Sequence, residues 1–238
     1  MSRSKEAVTA DAILWDFDGT LADSAAKNIT ITRQILEKVA PELTGDNLPR
    51  WLRSVADYQR AIHNTENWRD LYREFFGMAE ADIRTAGPMW QTYQDQDDTD
   101  VRLFEGVLET IAKLADRPQG VSSANSSKNI RRVLAEHGIE DAFRSIVGYE
   151  RFSPDRQKPA ADPGLECLRG VLPEVRGKTI LYVGDHVADV IFARNIGARL
   201  HPSCRVISVI VTYSGADPGS WREQPDRIIS HPSELLEF

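Results

Sequence analysis

Cysteine is scarce: Cys167 and Cys204 are the only two in 238 residues, far apart and outside any metal-ligand spacing. That argues against a disulfide framework and fits a reducing cytoplasm, with both thiols read as packed small hydrophobes. Long apolar runs are missing as well. None approaches the ~20 residues that a membrane helix needs, and residues 1–11 are polar, without the apolar stretch of a secretory signal. There is no basic excess either. A net charge of −7 argues against the clustered Lys and Arg that bind a nucleic-acid backbone. Membrane and nucleic acid are therefore not expected partners, whereas a small anionic ligand, which answers to local charge, is not excluded. Internal repeats and low-complexity tracts are absent too. The remaining balance, 41% hydrophobic and 27% charged, is that of a chain able to bury a core domain and a smaller attached one. Oligomeric state is not readable from it.

The apolar run Ala12-Ile13-Leu14-Trp15 stops abruptly at Asp16-Phe17-Asp18-Gly19-Thr20, as a buried parallel strand does where it enters a loop. The texture then becomes helical. Ser24 is placed to cap a helix whose apolar positions Ile29, Ile31, Ile35, Leu36 and Val39 share one face and which ends before Pro41. Further helices are expected over 48–63, 68–76 and 88–93, with 94–100 a polar connector. Beyond it, strands are expected at 120–123, 145–148, 179–183, 206–211 and 227–229. Helices are expected at 107–114, 129–137 (closed by Gly138), 163–172 and 187–195 (capped by Gly197). Alternation of this kind implies an α/β fold, a doubly wound, Rossmann-like parallel sheet with right-handed crossovers and ligands at the C-terminal strand ends. Residues 1–22 and 101–238 make this core, and 23–100 form a small all-helical insertion after the first strand.

Four features lie at that edge of the sheet. Asp16 and Asp18 follow the first strand with Gly19 to turn the backbone and Thr20 adding a hydroxyl; such a carboxylate pair can supply a nucleophile and a general acid/base. Taken alone, it is equally an Asp/Gly-rich surface turn. Asp185 and Asp189, four apart at the next clear strand end, can face one point and offer the hard oxygens that suit Mg²⁺, or simply form an acidic helix start. His186 between them reads as a bystander. In Val121-Ser122-Ser123-Ala124-Asn125, a hydroxyl and backbone N–H groups at a helix head make an anion cradle. Ser123 is favoured over Ser122 because the strand should extend as far as it can before the loop. Lys158, before Pro159, is a lone loop cation. Charge ties the set together. Four converging acids carry −4, and one lysine plus one divalent ion return +3. Like charges ~4 Å apart repel by about 4 kcal/mol at an effective dielectric of ~20, so the acids require both cations.

In this order the motifs resemble those of the haloacid dehalogenase superfamily, phosphatase branch, over nearly the whole chain. Asp16-Phe17-Asp18-Gly19-Thr20-Leu21 is similar to its first motif, Ser123 to the second, Lys158 to the third and Gly184-Asp185 with Asp189 to the fourth. The insertion is similar to the family's helical cap, of the kind labelled phosphoglycolate phosphatase-like. The resemblance implies Mg²⁺-dependent hydrolysis of a small phosphorylated metabolite through an aspartyl-phosphate. Asp16 would be nucleophile and metal ligand. Asp18 would be general acid/base, with its carbonyl on the metal. Asp185 and Asp189 would hold or orient the ion, and Ser123 and Lys158 the phosphoryl oxygens, beside substrate contacts from Gly19, Thr20, Ala124 and Asn125. A phosphomutase shares this core and is the alternative; a binding protein that has lost activity is a weaker one. Among the cap cations Arg50, Arg53, Arg60, His63, Arg69 and Arg73, most are expected to be solvated. One or two are expected to meet a second anionic group on the substrate.

Overall fold

A computed structural model describes residues 9–238. The chain opens with β1 (Ala12–Trp15), β2 (Ala22–Asp23) and α1 (Ala25–Val39), followed by short 3₁₀ turns up to residue 52. Then come α2 (Val55–Ile62), α3 (Trp68–Asp70), which continues into a π-helical turn over Leu71–Phe75, α4 (Glu80–Gln96) and β3 (Arg102–Leu103). The remainder alternates: α5 (Val107–Lys113), β4 (Gln119–Ser122), α6 (Ser127–Glu136), β5 (Ser145–Val147), α7 (Asp162–Val171), β6 (Thr179–Gly184), α8 (Val187–Arg199), β7 (Arg205–Val211) and β8 (Arg227–Ile229).

Six strands form one parallel sheet in the order β5-β4-β1-β6-β7-β8. Crossover helices cover both faces, so β1 and β4 are buried along their whole length. One face, with Ile13, Trp15, Val121 and Val183, packs against α5 and α6 side chains such as Ile111 and Val133. The other, with Leu14, Ile180 and Tyr182, packs against Cys167, Leu168 and Phe192 of α7 and α8. β1 lies between β4 and β6, which brings the chain segments after Trp15, Ser122 and Gly184 side by side at one rim.

The insertion has its own core, built from Ile31, Ile35 and Leu36 of α1 with Tyr58, Tyr72, Phe76 and Ile83. Its two connections are joined to each other: β2 and β3 pair antiparallel, Ala22 opposite Leu103 and Asp23 opposite Arg102. The expected connector 94–100 is helical in α4 up to Gln96 and irregular beyond it, and leads into this ribbon.

Several expected boundaries shift. Of 48–63 only Val55–Ile62 is α-helical. Pro49 lacks an N–H to donate, and the Ser54 side chain accepts from Asp57 N to start the helix late. The helix expected at 88–93 is much longer, because Pro88 sits inside α4 rather than at its start. α8 runs through Gly197 to Arg199 instead of stopping at it. α6 begins two residues early because the Ser126 hydroxyl accepts from Asn129 N and caps it.

Candidate active site

Each loop at the rim is shaped by its own short-range chemistry. After β1, Gly19 adopts a left-handed φ of 74° and packs so closely on Asp185 that a Cβ there would lie 2.1 Å from Oδ2; only glycine lets the first loop fold over the second. After β6, the Asp189 carboxylate turns back to accept N–H bonds from Asp185 (3.0 Å) and His186 (2.8 Å). A Cβ on Gly184 would meet that carboxylate at 2.2 Å. Both glycines are therefore steric conditions for the cluster.

Asp16, Asp185 and Asp189 are buried, and each brings a carboxylate oxygen within 4.8 Å of the others'. Lys158 reaches in from the loop before α7, its side chain 8% exposed, and its Nζ lies 3.1 Å from Asp16 Oδ1 and in contact with Asp189 Oδ1. The rings of Tyr182 and Phe192 flank the ammonium at 5.2 and 5.6 Å. Neither carboxylate oxygen has a well-directed hydrogen bond. Burial pushes Asp16 up to about 7, with the other acids adding to it and Lys158 opposing. Burial also pulls on the Lys158 ammonium, but Asp16 and Asp189 outweigh it and hold the group above the usual lysine range.

Asp18 stands apart from this triad. Its Oδ1 accepts from Ser24 Oγ (2.5 Å) and its Oδ2 from Asn125 Nδ2 (2.8 Å). Burial raises its pKa despite those two bonds. The Ser24 hydroxyl, expected to cap α1, makes no such cap; it is engaged on Asp18 instead. Asn125 is positioned in turn by Asn129 Nδ2 and Ser126 N, which both donate to its Oδ1.

Of the paired serines, Ser122 ends β4 and is fully buried, whereas Ser123 is the first loop residue, with Oγ accepting from Asn125 N. Thr20 is buried with its hydroxyl unpartnered, and its carbonyl accepts from Tyr213 OH. Ala124 is exposed in the loop that also holds Asn125.

Five of the six cap cations, all of them arginines, lie on the exposed cap surface, as expected of most. Arg53 is tied to the carbonyls of Asp46 and Leu48, Arg60 to Asp57, and Arg73 to Asp70 and Glu80. Arg50 and Arg69 stack on Trp51 and Trp68. All five are exposed; each finds a partner within the cap, so nothing drives it inward. His63 alone of the six cations enters the site, with Nε2 2.9 Å from Asp185 Oδ2. His186 stays outside the carboxylate cluster but has a structural part. Its Nδ1 accepts from Ala188 N to cap α8, while its Nε2 lies 3.1 Å from the carbonyl of Ile62, so it clasps the end of α2. No local sequence signal marks either role, because both partners are more than a hundred residues away. Although burial pushes Asp185 up, the His63 hydrogen bond and the neighbouring histidines bring it below the usual carboxylate value.

A divalent ion fits this donor set. Three buried carboxylates converge with a single ammonium to balance them, and hard oxygen donors of this number suit Mg²⁺. Among the described residues, no helix is long and apolar enough to cross a membrane.

Comparison with known proteins agrees with this arrangement. Residues 13–201 match the family model described as haloacid dehalogenase-like hydrolase. The chain is similar to a phosphoglycolate phosphatase of Synechococcus elongatus, 28% identical over 237 residues and covering 95% of each chain. It is also similar to an N-acetylmuramic acid 6-phosphate phosphatase of Pseudomonas putida, 23% identical over 227 residues and covering 94% of this chain and 93% of the other. Among solved structures, a haloacid dehalogenase-like family protein of Streptococcus pneumoniae shares the fold, with a TM-score of 0.72 and 18% identity over 95% of this chain and 97% of that one.

Proposed function

The chain belongs to the haloacid dehalogenase-like hydrolase family, and from that premise we propose that it hydrolyses a small-molecule phosphate monoester, with Asp16 as nucleophile. The observation that carries this reading is the meeting of Asp16, Asp185 and Asp189 around one point beside Lys158, with Asp18 held separately.

A carboxylate oxygen of Asp16 attacks phosphorus in line, forming an aspartyl-phosphate as the bond to the leaving oxygen breaks. Asp18 gives its proton to that oxygen. Burial raises the pKa of its carboxyl and so favours the protonated form, and Ser24 and Asn125 fix its direction. Water then attacks phosphorus, Asp18 takes its proton, and Asp16 is released with inorganic phosphate. Lys158 orients Asp16 and, with Ser123 and the loop N–H groups near Ala124 and Asn125, balances charge on the phosphoryl oxygens. Gly19 and Thr20 line the same loop. Asp16, Asp185 and Asp189, with the carbonyl of Asp18, would hold Mg²⁺, which when bound would supply neutralisation of the charge on the phosphoryl group and the carboxylates.

We read 1–22 and 101–238 as the catalytic core and 23–100 as a cap closing over it on the β2–β3 ribbon. The free thiols of Cys167 and Cys204 support a cytoplasmic setting. The relatives' names span phosphoglycolate and a sugar-acid phosphate, so the substrate stays at the level of a small phosphorylated metabolite.

A screen of phosphomonoesters with Mg²⁺, repeated on Asp16→Asn, tests the reading. Release of inorganic phosphate that falls by about 10³-fold or more in the variant is expected. Equal rates in variant and parent would end it, and a product that keeps the phosphate on an organic acceptor would mark a mutase.

A further inference from the structure

Asp18 is reached from the core by a line of side chains along α6. Asn125 Nδ2 donates to Asp18 Oδ2 (2.8 Å), Asn129 Nδ2 donates to Asn125 Oδ1 (3.2 Å), and Arg132 Nη2 donates to Asn129 Oδ1 (3.0 Å). Asn125 lies just before the Ser126 cap. Asn129 and Arg132 follow at intervals of four and three residues, the spacing of successive turns on one helix face. Asn125 and Asn129 are buried, at 7% and 5% exposure. The Arg132 side chain is 45% exposed, and its Nη1 donates to Glu136 Oε1 (2.6 Å).

The direction of each bond in this line is fixed by groups that can only donate. A guanidinium has no acceptor, so Asn129 turns its carbonyl oxygen to Arg132 and its NH₂ to Asn125. A backbone N–H has none either, and Ser126 N donates to the same Asn125 oxygen (2.7 Å). Asn125 therefore presents its NH₂ to Asp18. With either amide turned over, donor would face donor or acceptor would face acceptor.

α6 does not need the Asn129 amide for its start, because the Ser126 hydroxyl accepts from the Asn129 backbone N–H (3.3 Å) and caps the helix. Asp18, by contrast, depends on the line. Its carboxyl has one bond from Ser24, at the beginning of the cap, and one from Asn125, in the core. Without the second, a single tether remains and the carboxyl can swing. Misdirection of a reacting group by even a small amount is costly in rate.

We propose that Asn129 and Arg132 are positioning residues for the leaving-group step, acting only through Asn125 to hold the Asp18 carboxyl in the direction of proton transfer. This rests on the reading above that Asp18 protonates the leaving oxygen.

The test is kcat and KM with Mg²⁺ for glycerol 1-phosphate, whose alkoxide needs a proton to leave, and p-nitrophenyl phosphate, whose phenolate does not. The proteins are the parent, Asn129→Leu, Arg132→Met, Asp18→Asn and the double variant of Asp18→Asn with Asn129→Leu. Asn129→Leu is expected to lower kcat on glycerol 1-phosphate by about ten-fold, with KM little changed and a smaller loss on p-nitrophenyl phosphate. Arg132→Met, one bond further out, is expected to show the same bias at about three-fold. In the Asp18→Asn background, Asn129→Leu is expected to cost nothing more, because the group it positions is already gone.

Equal losses on the two esters, or a further loss in the double variant, would mean that Asn129 acts on the fold rather than on Asp18, and either result overturns the inference. Should Asn129→Leu fail to fold, the half-exposed Arg132 decides: bias in Arg132→Met supports the relay, and its absence overturns it. An Asp18→Asn variant without leaving-group bias overturns the role of Asp18 itself. A parent that cleaves neither ester overturns the phosphatase reading.

Discussion

His63, at the end of the second cap helix, places its Nε2 2.9 Å from Oδ2 of Asp185, a core carboxylate 122 residues away. Both side chains are buried, and the His63 Nδ1 has no partner. The imidazole thus bonds a carboxylate that also belongs to the candidate metal cluster, tying the cap to that cluster.

Replacing His63 by alanine leaves the Asp185 carboxylate buried without its donor. In the presence of a chelator, unfolding stability should fall by about 1–3 kcal/mol, the cost of a buried charged acceptor losing its partner. Saturating Mg²⁺ should narrow the gap, because a cation can take the place of the lost donor. Denaturant melts with chelator and with Mg²⁺ check this; a gap of the same size in both would contradict it.

Asp18→Asn should lower turnover by about 10²–10⁴-fold on an ester with a poor alkoxide leaving group. The loss should be smaller on p-nitrophenyl phosphate, whose phenolate departs with little need of a proton. Ser24→Ala and Asn125→Ala, which release Asp18 from its two bonds, should show the same leaving-group bias in weaker form. Steady-state rates on the two esters decide it.

Ser123→Ala should raise KM and lower kcat/KM by about ten-fold or more, as loss of a hydrogen bond to a charged oxygen does. Ser122→Ala should stay close to the parent. The Ser122 side chain is 0% exposed at the end of the strand, while Ser123, at 4%, opens the loop. The reverse order in kinetics on one ester would transfer the phosphate contact to Ser122.

Asp11 anchors the start of the first strand to the fourth-motif strand, its carboxylate accepting from Thr179 N and from Lys178 Nζ, each at 2.8 Å. The Lys178 bond first, then the Thr179 bond, hold its pKa below the usual value. A lowered folded pKa means that the contribution is present above about pH 4 and disappears as pH falls through the folded value. With the pair part-exposed and screened, Asp11→Asn should cost about 1 kcal/mol at pH 7. Parent and variant should converge near pH 2, as read by urea melts at both pH values.

The convergence of the candidate acids was legible because they sit where apolar strands stop. Asp16 after Trp15 and Asp185 after Gly184 are signalled by local contrast between a β run and a polar loop, and parallel strands bring such ends to one rim. Helix boundaries in the insertion were less legible. Pro88 inside a long helix and Pro49 amid 3₁₀ turns follow packing rather than the residue's usual position. Ser24 shows the same limit on a smaller scale: its sequence context is that of a helix cap, but Asp18 is the stronger partner within reach.

The sequence by itself determined the α/β alternation, the order of the acids along the chain and the glycines that let their loops close, since each depends on neighbours a few residues away. Only the tertiary structure decided that His63 and His186 join cap to core, that the cap arginines face outward, and that Tyr58 and Tyr72 both pack on Phe76. Those contacts depend on how two separately packed cores are set against each other. No periodicity within a single segment encodes that relation.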